Sequence, residues 1–429
     1  MKTFVFFCFI LSVMSCSTSG PGIFRKSTPH EEYGRKLEEA GLKSTALGAK
    51  WFQAAQSSMA SPQTITIPFS QNGFFSSDRP DAIVFRFEAR RGQLITATVG
   101  QKPAAGFRLF VEAYEVRGDA PKFLALSDST TGTVKFEAED DRVYLIRIQP
   151  ELLASGEYSV SIIGSASIAY PISAPGKNHI KSFWGAARDG GARKHEGIDL
   201  FAARRTPIVA SVNGRITAVN ENRLGGKVVW LRAEDRNYTL YYAHLDTQLV
   251  SDGERVVVGD TIGLMGNTGN ARSTAPHLHF GIYTMNGPVD PLPFVDPEVR
   301  LPKKIISSPD MLGKIVRTTQ NMRIAGISAA SALPQNTVVR VLAAAAEEYY
   351  VEDELGRRGY VGISAVQPAE RPLESVTAST SIPLYASPDS SAPRKTVVDA
   401  GTSLPVFGYS AGFAFVRVNG VEGFTPLPL

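Results

Sequence analysis

The chain has 429 residues, 43% of them hydrophobic and 20% charged, enough for several ordinary cores. Its 45 basic and 41 acidic residues leave a net charge of +4, too small and too dispersed to mark a nucleic-acid surface. No apolar run is long enough to span a bilayer.

At the N-terminus, MKTFVFFCFILSVMSC sets one cation, Lys2, before a short apolar core from Phe4 to Val13. This is the pattern of a secretory signal, assigned to residues 1–15. The Ser15-Cys16 pair that ends it resembles a bacterial lipobox. The resemblance implies cleavage before Cys16, lipidation of that cysteine and a membrane-anchored chain facing the periplasm. Ser17 and Thr18 carry no acidic charge, which favours the outer membrane. Cys8 and Cys16 are the only cysteines. The exported chain therefore has no disulfide, and any zinc it binds must use His and carboxylate.

A Ser/Gly/Pro-rich tether covers 16–27. The stretch 28–60 reads as a helical hairpin. In its first helix Thr28 and Glu31 make a capping box, Pro29 suits the first turn, and Tyr33, Leu37 and Ala40 form a stripe that Gly41 ends. The second helix runs from Ser44 towards Met59 with Leu47, Trp51 and Ala54 on one face. From 61 to 168 the pattern shifts to short alternating strands (TITIPF, AIVFRFEA, QLITATV, RLFVEAYEV, VYLIRIQP and GEYSVSII). They are separated by turns at Asn72-Gly73, Arg91-Gly92 and Ser155-Gly156. Strands at this spacing predict a β-sandwich. Beyond residue 300, the stretches 310–367 and 373–429 share one scheme. In each a strand leads to YYVED or FAFVRV, then a turn, then GYVG or GFTP. They resemble two tandem SH3-like barrels, modules that bind cell-wall peptide or serve as spacers.

Between 170 and 297 lie HEGID, YYAHLD and APHLHFGIY. His277 and His279 are two apart on a predicted strand, so they share a face opposite Leu278, Phe280 and Ile282. His195 and Asp199, four apart with Gly197 between them, also project to one side. His244 sits near the end of its own strand. Imidazole and carboxylate are what a thiol-free zinc site uses. A catalytic zinc needs only three protein ligands, so four histidines and an aspartate are two groups in excess. Hydrolysis at zinc needs a proton acceptor and an oxyanion donor beside the metal, and histidine serves as either. His30 and His179 read as ordinary structural residues. GNTGNARST lacks the ending of a phosphate loop, and in NRLGGKV the pair Gly225-Gly226 predicts a hairpin turn with positive φ.

HxxxD, the histidine of YAHL and HLHF, in this order, resemble the M23 family of lysostaphin/LytM-type zinc metallopeptidases. RTPIVASVNGRI, GERVVVGDTIG and GNTGNA fit the same pattern. The resemblance covers 170–297 and implies a small antiparallel β catalytic domain with an open groove. It implies one zinc on His195, Asp199 and His279, with His244 and His277 beside it as catalytic, non-ligand histidines. The implied activity is hydrolysis of peptide bonds in peptidoglycan, stem or cross-link, by a metal-activated water at the cell envelope. Some proteins of this fold have lost ligands and regulate other wall hydrolases by binding; that non-hydrolytic role is the alternative. Sugar-transport phosphocarrier domains share the architecture, but they lack the HxxxD aspartate and an export signal. The expected chain is mainly β and multi-domain: hairpin, sandwich, catalytic domain and two SH3-like barrels.

Overall fold

The computed structural model describes residues 26–427 apart from 119, 174–175, 177–178 and 325–331. The signal, Cys16 and most of the tether lie outside the described residues. The chain is mainly β. Two helices open it, Pro29–Glu39 and Ala46–Ala60, as the hairpin pattern predicts. Thr28 Oγ1 accepts from the Glu31 backbone N–H while the Glu31 carboxylate accepts from Thr28 N–H, so the capping box is closed. Gly41, at φ 71, turns the chain out of the helix.

The hairpin is fastened by Trp51, which is 1% exposed. Its indole N–H donates to Pro150 O at 2.9 Å, and its ring stacks on His30 at 4.9 Å between centroids. His30 is buried and satisfied, as a structural histidine should be. Nδ1 takes a hydrogen bond from Arg147 at 3.1 Å, and Nε2 donates to Gln149 Oε1 at 2.7 Å. Burial, with Arg147 beside it, lowers its pKa.

Residues 61–168 form two sheets. Strands Ile83–Ala89, Arg142–Pro150, Leu109–Arg117 and Ala120–Leu126 make one; Phe69–Phe75, Gly156–Ala166, Gln93–Lys102 and Thr133–Glu137 belong to the other. Phe85, Phe87 and Ile146 from the first share a core with Ile95, Val160 and Ile162 from the second. Two expectations fail here. TITIPF is not one strand: Thr64 ends the two-residue strand Gln63–Thr64 and Phe69 opens the longer one, with Pro68, which has no N–H to give a ladder, just before it. Asn72-Gly73 is not a turn but lies inside that strand, where a side chain on Gly73 would run into the Tyr158 ring. Glycine in this strand signals close approach, not reversal.

The same strand also pairs with Val338–Ala345, Asn72 opposite Ala344, so the sheet runs on into the C-terminal region. Arg358 seals the seam with Asp81 at 2.8 Å and Glu352 at 2.8 Å. In the C-terminal region Val338–Ala345, Glu348–Asp353 and Arg358–Gly362 form one antiparallel run. Ser403–Ser410, Phe413–Val418 and Val421–Pro426 form another. Val338, Phe407, Phe415 and Phe424 pack together between the two runs.

The histidine-rich segment has its own sheet, in which Ile180–Ser182, Ile198–Phe201, His277–Thr284, Tyr238–Gln248, Gly226–Ala233 and Gly214–Asn222 are successive antiparallel neighbours. Leu200, Leu240, Tyr242, Leu278, Phe280 and Ile282 fill its core. Phe294 anchors the segment to the preceding strands, its carbonyl accepting from Ser167 and Ile168 N–H at 3.0 and 3.1 Å.

Candidate metal centre

Strand register makes the first contact. Ile198–Phe201 pairs antiparallel with His277–Thr284 so that Asp199 stands opposite His279 and Phe201 opposite His277. Directly opposed residues have their Cβ atoms about 4.5–5.5 Å apart, which lets the Asp199 and His279 side chains meet. Gly197 leaves the room: a Cβ there would lie 2.5 Å from Phe280 O and 2.7 Å from the His279 ring.

His195 reaches the same point from outside the strand. A short hairpin, Ala187–Arg188 with Arg193–Lys194, precedes it. His195 N–H donates to Ala186 O at 2.8 Å, and its carbonyl accepts from Gly185 N–H at 2.9 Å. Nδ1 lies 2.9 Å from Phe183 O, so the ring donates there and turns an unprotonated Nε2 inward. That Nε2 is 2.9 Å from Asp199 Oδ1 and 2.9 Å from His279 Nδ1, and the last pair is 3.0 Å apart. Three acceptor atoms converge, and with neutral rings at most one proton, on His279 Nδ1, is available among them. A cation between them would relieve the conflict. At metal bonds of ~2.0–2.1 Å, tetrahedral ligands stand about 3.3–3.4 Å apart, close to the triangle seen. The residues fit zinc. Burial alone would raise the Asp199 carboxyl, but once protons or a cation sit between it and the His195 and His279 rings, their hydrogen bonds and charge hold it well below the usual carboxylate range. His279 is pushed down by burial.

His244 and His277 stand beside this triangle. Their ring centroids are 4.9 Å apart, and His244 is 5.9 Å from His279. His244 was expected near the end of its strand; the strand, Tyr238–Gln248, runs four residues past it and bulges there. Simple alternation would send it to the core face with Leu240 and Tyr242. Its φ of 64 breaks the phase: Leu245 returns to the core and the His244 ring comes round to the groove side, where Tyr241 and Ala243 pack. A non-glycine residue at positive φ costs about 1–3 kcal/mol, which the surrounding structure must over-determine. Here Gly225 O accepts the His244 backbone N–H at 2.7 Å, and Thr268 O accepts from ring Nδ1 at 2.9 Å. His277 Nδ1 likewise donates to Ala275 O at 2.9 Å, and its ring stacks on Phe201 at 4.7 Å. In the neutral tautomer that donates from Nδ1, each ring has its Nε2 free of a proton. Burial, with His277 and His279 nearby, lowers the His244 pKa to about 4.

All five residues line one groove of roughly 580 Å³. One wall is aromatic and was not read from the sequence: Trp230 lies 4.3 Å from Tyr241 and 5.3 Å from Tyr283, centroid to centroid. At its rim only Gly226 (φ 64) of the two predicted turn glycines has positive φ. Gly225 is there for another reason, since a side chain would collide with the Tyr241 hydroxyl. Arg188 was also missed; its Nη2 donates to Asp199 Oδ2 at 2.8 Å. His179 stays structural, Nδ1 donating to Phe201 O at 2.8 Å.

Residues 193–291 match the family model described as peptidase family M23. That stretch is similar to M23 peptidases. Among curated relatives, the L-Ala–D-Glu endopeptidase of Bacillus subtilis is 35% identical over 127 residues, 28% of this chain and 39% of that protein. Peptidoglycan DD-endopeptidase ShyC of Vibrio cholerae is 40% identical over 98 residues, 23% of this chain and 22% of its own. The uncharacterized lipoprotein YgeR of Escherichia coli is 37% identical over 116 residues, 27% of this chain and 43% of its own. The chain thus spans less than half the length of each. The M23 match holds His195, Asp199, His244, His277 and His279, and leaves out Ser182 and Arg188.

Proposed function

We propose that the chain is a zinc-dependent endopeptidase that hydrolyses peptide bonds of bacterial peptidoglycan, in stem peptide or cross-link. The observation that carries this reading is the convergence of His195 Nε2, Asp199 Oδ1 and His279 Nδ1 on one point of an open groove. A zinc ion held by those atoms supplies a Lewis acid for a peptide carbonyl and a water activated for attack. His244 and His277 take the proton-handling roles. Each has its Nδ1–H committed to a backbone carbonyl, which leaves Nε2 free to accept a proton at one stage and return it at another. The aromatic wall of Trp230, Tyr241 and Tyr283 holds an extended peptide against the site. The endopeptidase names of two relatives support wall peptide as the substrate class.

In the same reading Cys16 is lipidated and tethers the enzyme to the envelope, with the outer membrane favoured by Ser17 and Thr18; the lipoprotein relative supports an anchored chain. Residues 61–168 serve as a β-sandwich spacer. The stretches 310–367 and 373–429 serve as SH3-like modules that present wall peptide or set distance. A purely regulatory role has less support, because ligands and partner histidines are all present.

The test is a digest of purified peptidoglycan by the mature chain, with mass analysis of the fragments. Peptide-bond cleavage that a chelator abolishes and zinc restores is the expected result. No cleavage, with another hydrolase stimulated instead, would establish the regulator.

A further inference from the structure

Arg188 touches neither the metal-facing oxygen nor the groove's proton-handling histidines, yet it grips the aspartate of the site from behind. Its Nη2 donates to Asp199 Oδ2 at 2.8 Å and to Ser182 Oγ at 2.6 Å. Ser182 is the cross-strand neighbour of Asp199. The guanidinium therefore spans from one strand to the next and fixes the carboxylate plane, and Asp199 is left with Oδ1 alone facing His195 and His279. The Arg188 side chain is 32% exposed and the Asp199 side chain 10% exposed. The contact is thus sheltered on the carboxylate's side. The hairpin that carries Arg188 also delivers His195, whose backbone N–H is held by Ala186 O. One small element sets two of the three converging groups.

We infer that Arg188 is a positioning residue that holds Asp199 as a one-oxygen ligand and keeps the fourth zinc position open. This rests on the zinc-peptidase reading and adds to it a residue outside the matched family segment. The physical argument is about the second oxygen. A carboxylate with both oxygens free can rotate and close on a metal with both, occupying the position that water or substrate needs. A charge-assisted bond from arginine to Oδ2 prevents the rotation and offsets the carboxylate's charge. Partners of this kind, when removed, typically cost ~10–100-fold in metal affinity or activity. Lysine would keep the charge but lose the rigid planar group from which Nη2 reaches both Asp199 and Ser182.

The experiment uses the full mature chain as wild type, Arg188→Ala, Arg188→Lys and Ser182→Ala. Zinc affinity is measured by competition with a chromophoric chelator, and the cobalt-substituted proteins are compared by visible absorption, whose intensity falls as coordination rises above four. Arg188→Ala should bind zinc ~10–100-fold more weakly and show a weaker cobalt spectrum, while its thermal unfolding stays near that of wild type. Arg188→Lys should recover part of the affinity, and Ser182→Ala should shift both readouts in the same direction by less. If Arg188→Ala does not fold, Ser182→Ala and Arg188→Lys carry the comparison alone. Wild-type affinity and an unchanged cobalt spectrum in the folded variants would overturn the role of Arg188 and leave the zinc reading standing. A wild-type chain that takes up no zinc would overturn both.

Discussion

On the proposed zinc-peptidase reading, His279→Ala should lose most of its zinc together with its activity, whereas His277→Ala should keep the metal and lose ~10²–10⁴-fold in turnover. The two residues share a strand face, but their rings do different things. His279 Nδ1 is 2.9 Å from His195 Nε2 and 3.0 Å from Asp199 Oδ1, so its removal leaves two ligands. His277 instead stacks on Phe201 and faces His244, and among the described residues the converging ligand group holds His195, Asp199 and His279 without it. His244→Ala should resemble His277→Ala, keeping zinc and losing turnover. Metal analysis and wall hydrolysis on the three variants check the split. Equal zinc loss from His277→Ala and His279→Ala would mean both are ligands.

Trp51→Ala should remove about 3–5 kcal/mol from the docking of the N-terminal helices. Beyond its buried ring, it loses the hydrogen bond to Pro150 O and the stack that keeps His30 dry. His30 would then be hydrated while Arg147 and Gln149 lose the geometry that pairs them with it. Chemical denaturation followed by tryptophan-independent circular dichroism should show earlier melting of the helical signal. The proposed zinc binding should survive, because among the described residues the hairpin's core cluster is separate from that of the histidine-rich sheet. A loss below about 1 kcal/mol would show that the hairpin is not held by this residue.

The local rules were legible where a residue type has one dominant use. Thr28, Pro29 and Glu31 gave the first helix start correctly, and Leu278, Phe280 and Ile282 gave the buried face of the HLH strand. HxxxD and HLH also pointed to residues that the fold brings together, because a two-residue period and a cross-strand register are short-range consequences of sequence. What failed depends on distant partners. Gly73 looked like a turn because nothing nearby in sequence reveals Tyr158 above it. His244 needed the bulge, which exists only once Gly226–Ala233 is paired alongside. Arg188 and Ser182 reach Asp199 only when Ile180–Ser182 pairs with Ile198–Phe201 and the following hairpin brings the guanidinium round, and the aromatic wall draws its three rings from three strands. The continuous sheet joining Phe69–Phe75 to Val338–Ala345 links residues more than 260 positions apart, beyond any local pattern.

Diffraction from zinc-loaded crystals at the zinc absorption edge tests the central claim most directly. One anomalous peak is expected per chain, ~2.0–2.1 Å from His195 Nε2 and His279 Nδ1 and ~2.0–2.2 Å from Asp199 Oδ1, with His244 and His277 outside bonding distance. No peak at that point, or a peak bound through His244 or His277, would contradict the account.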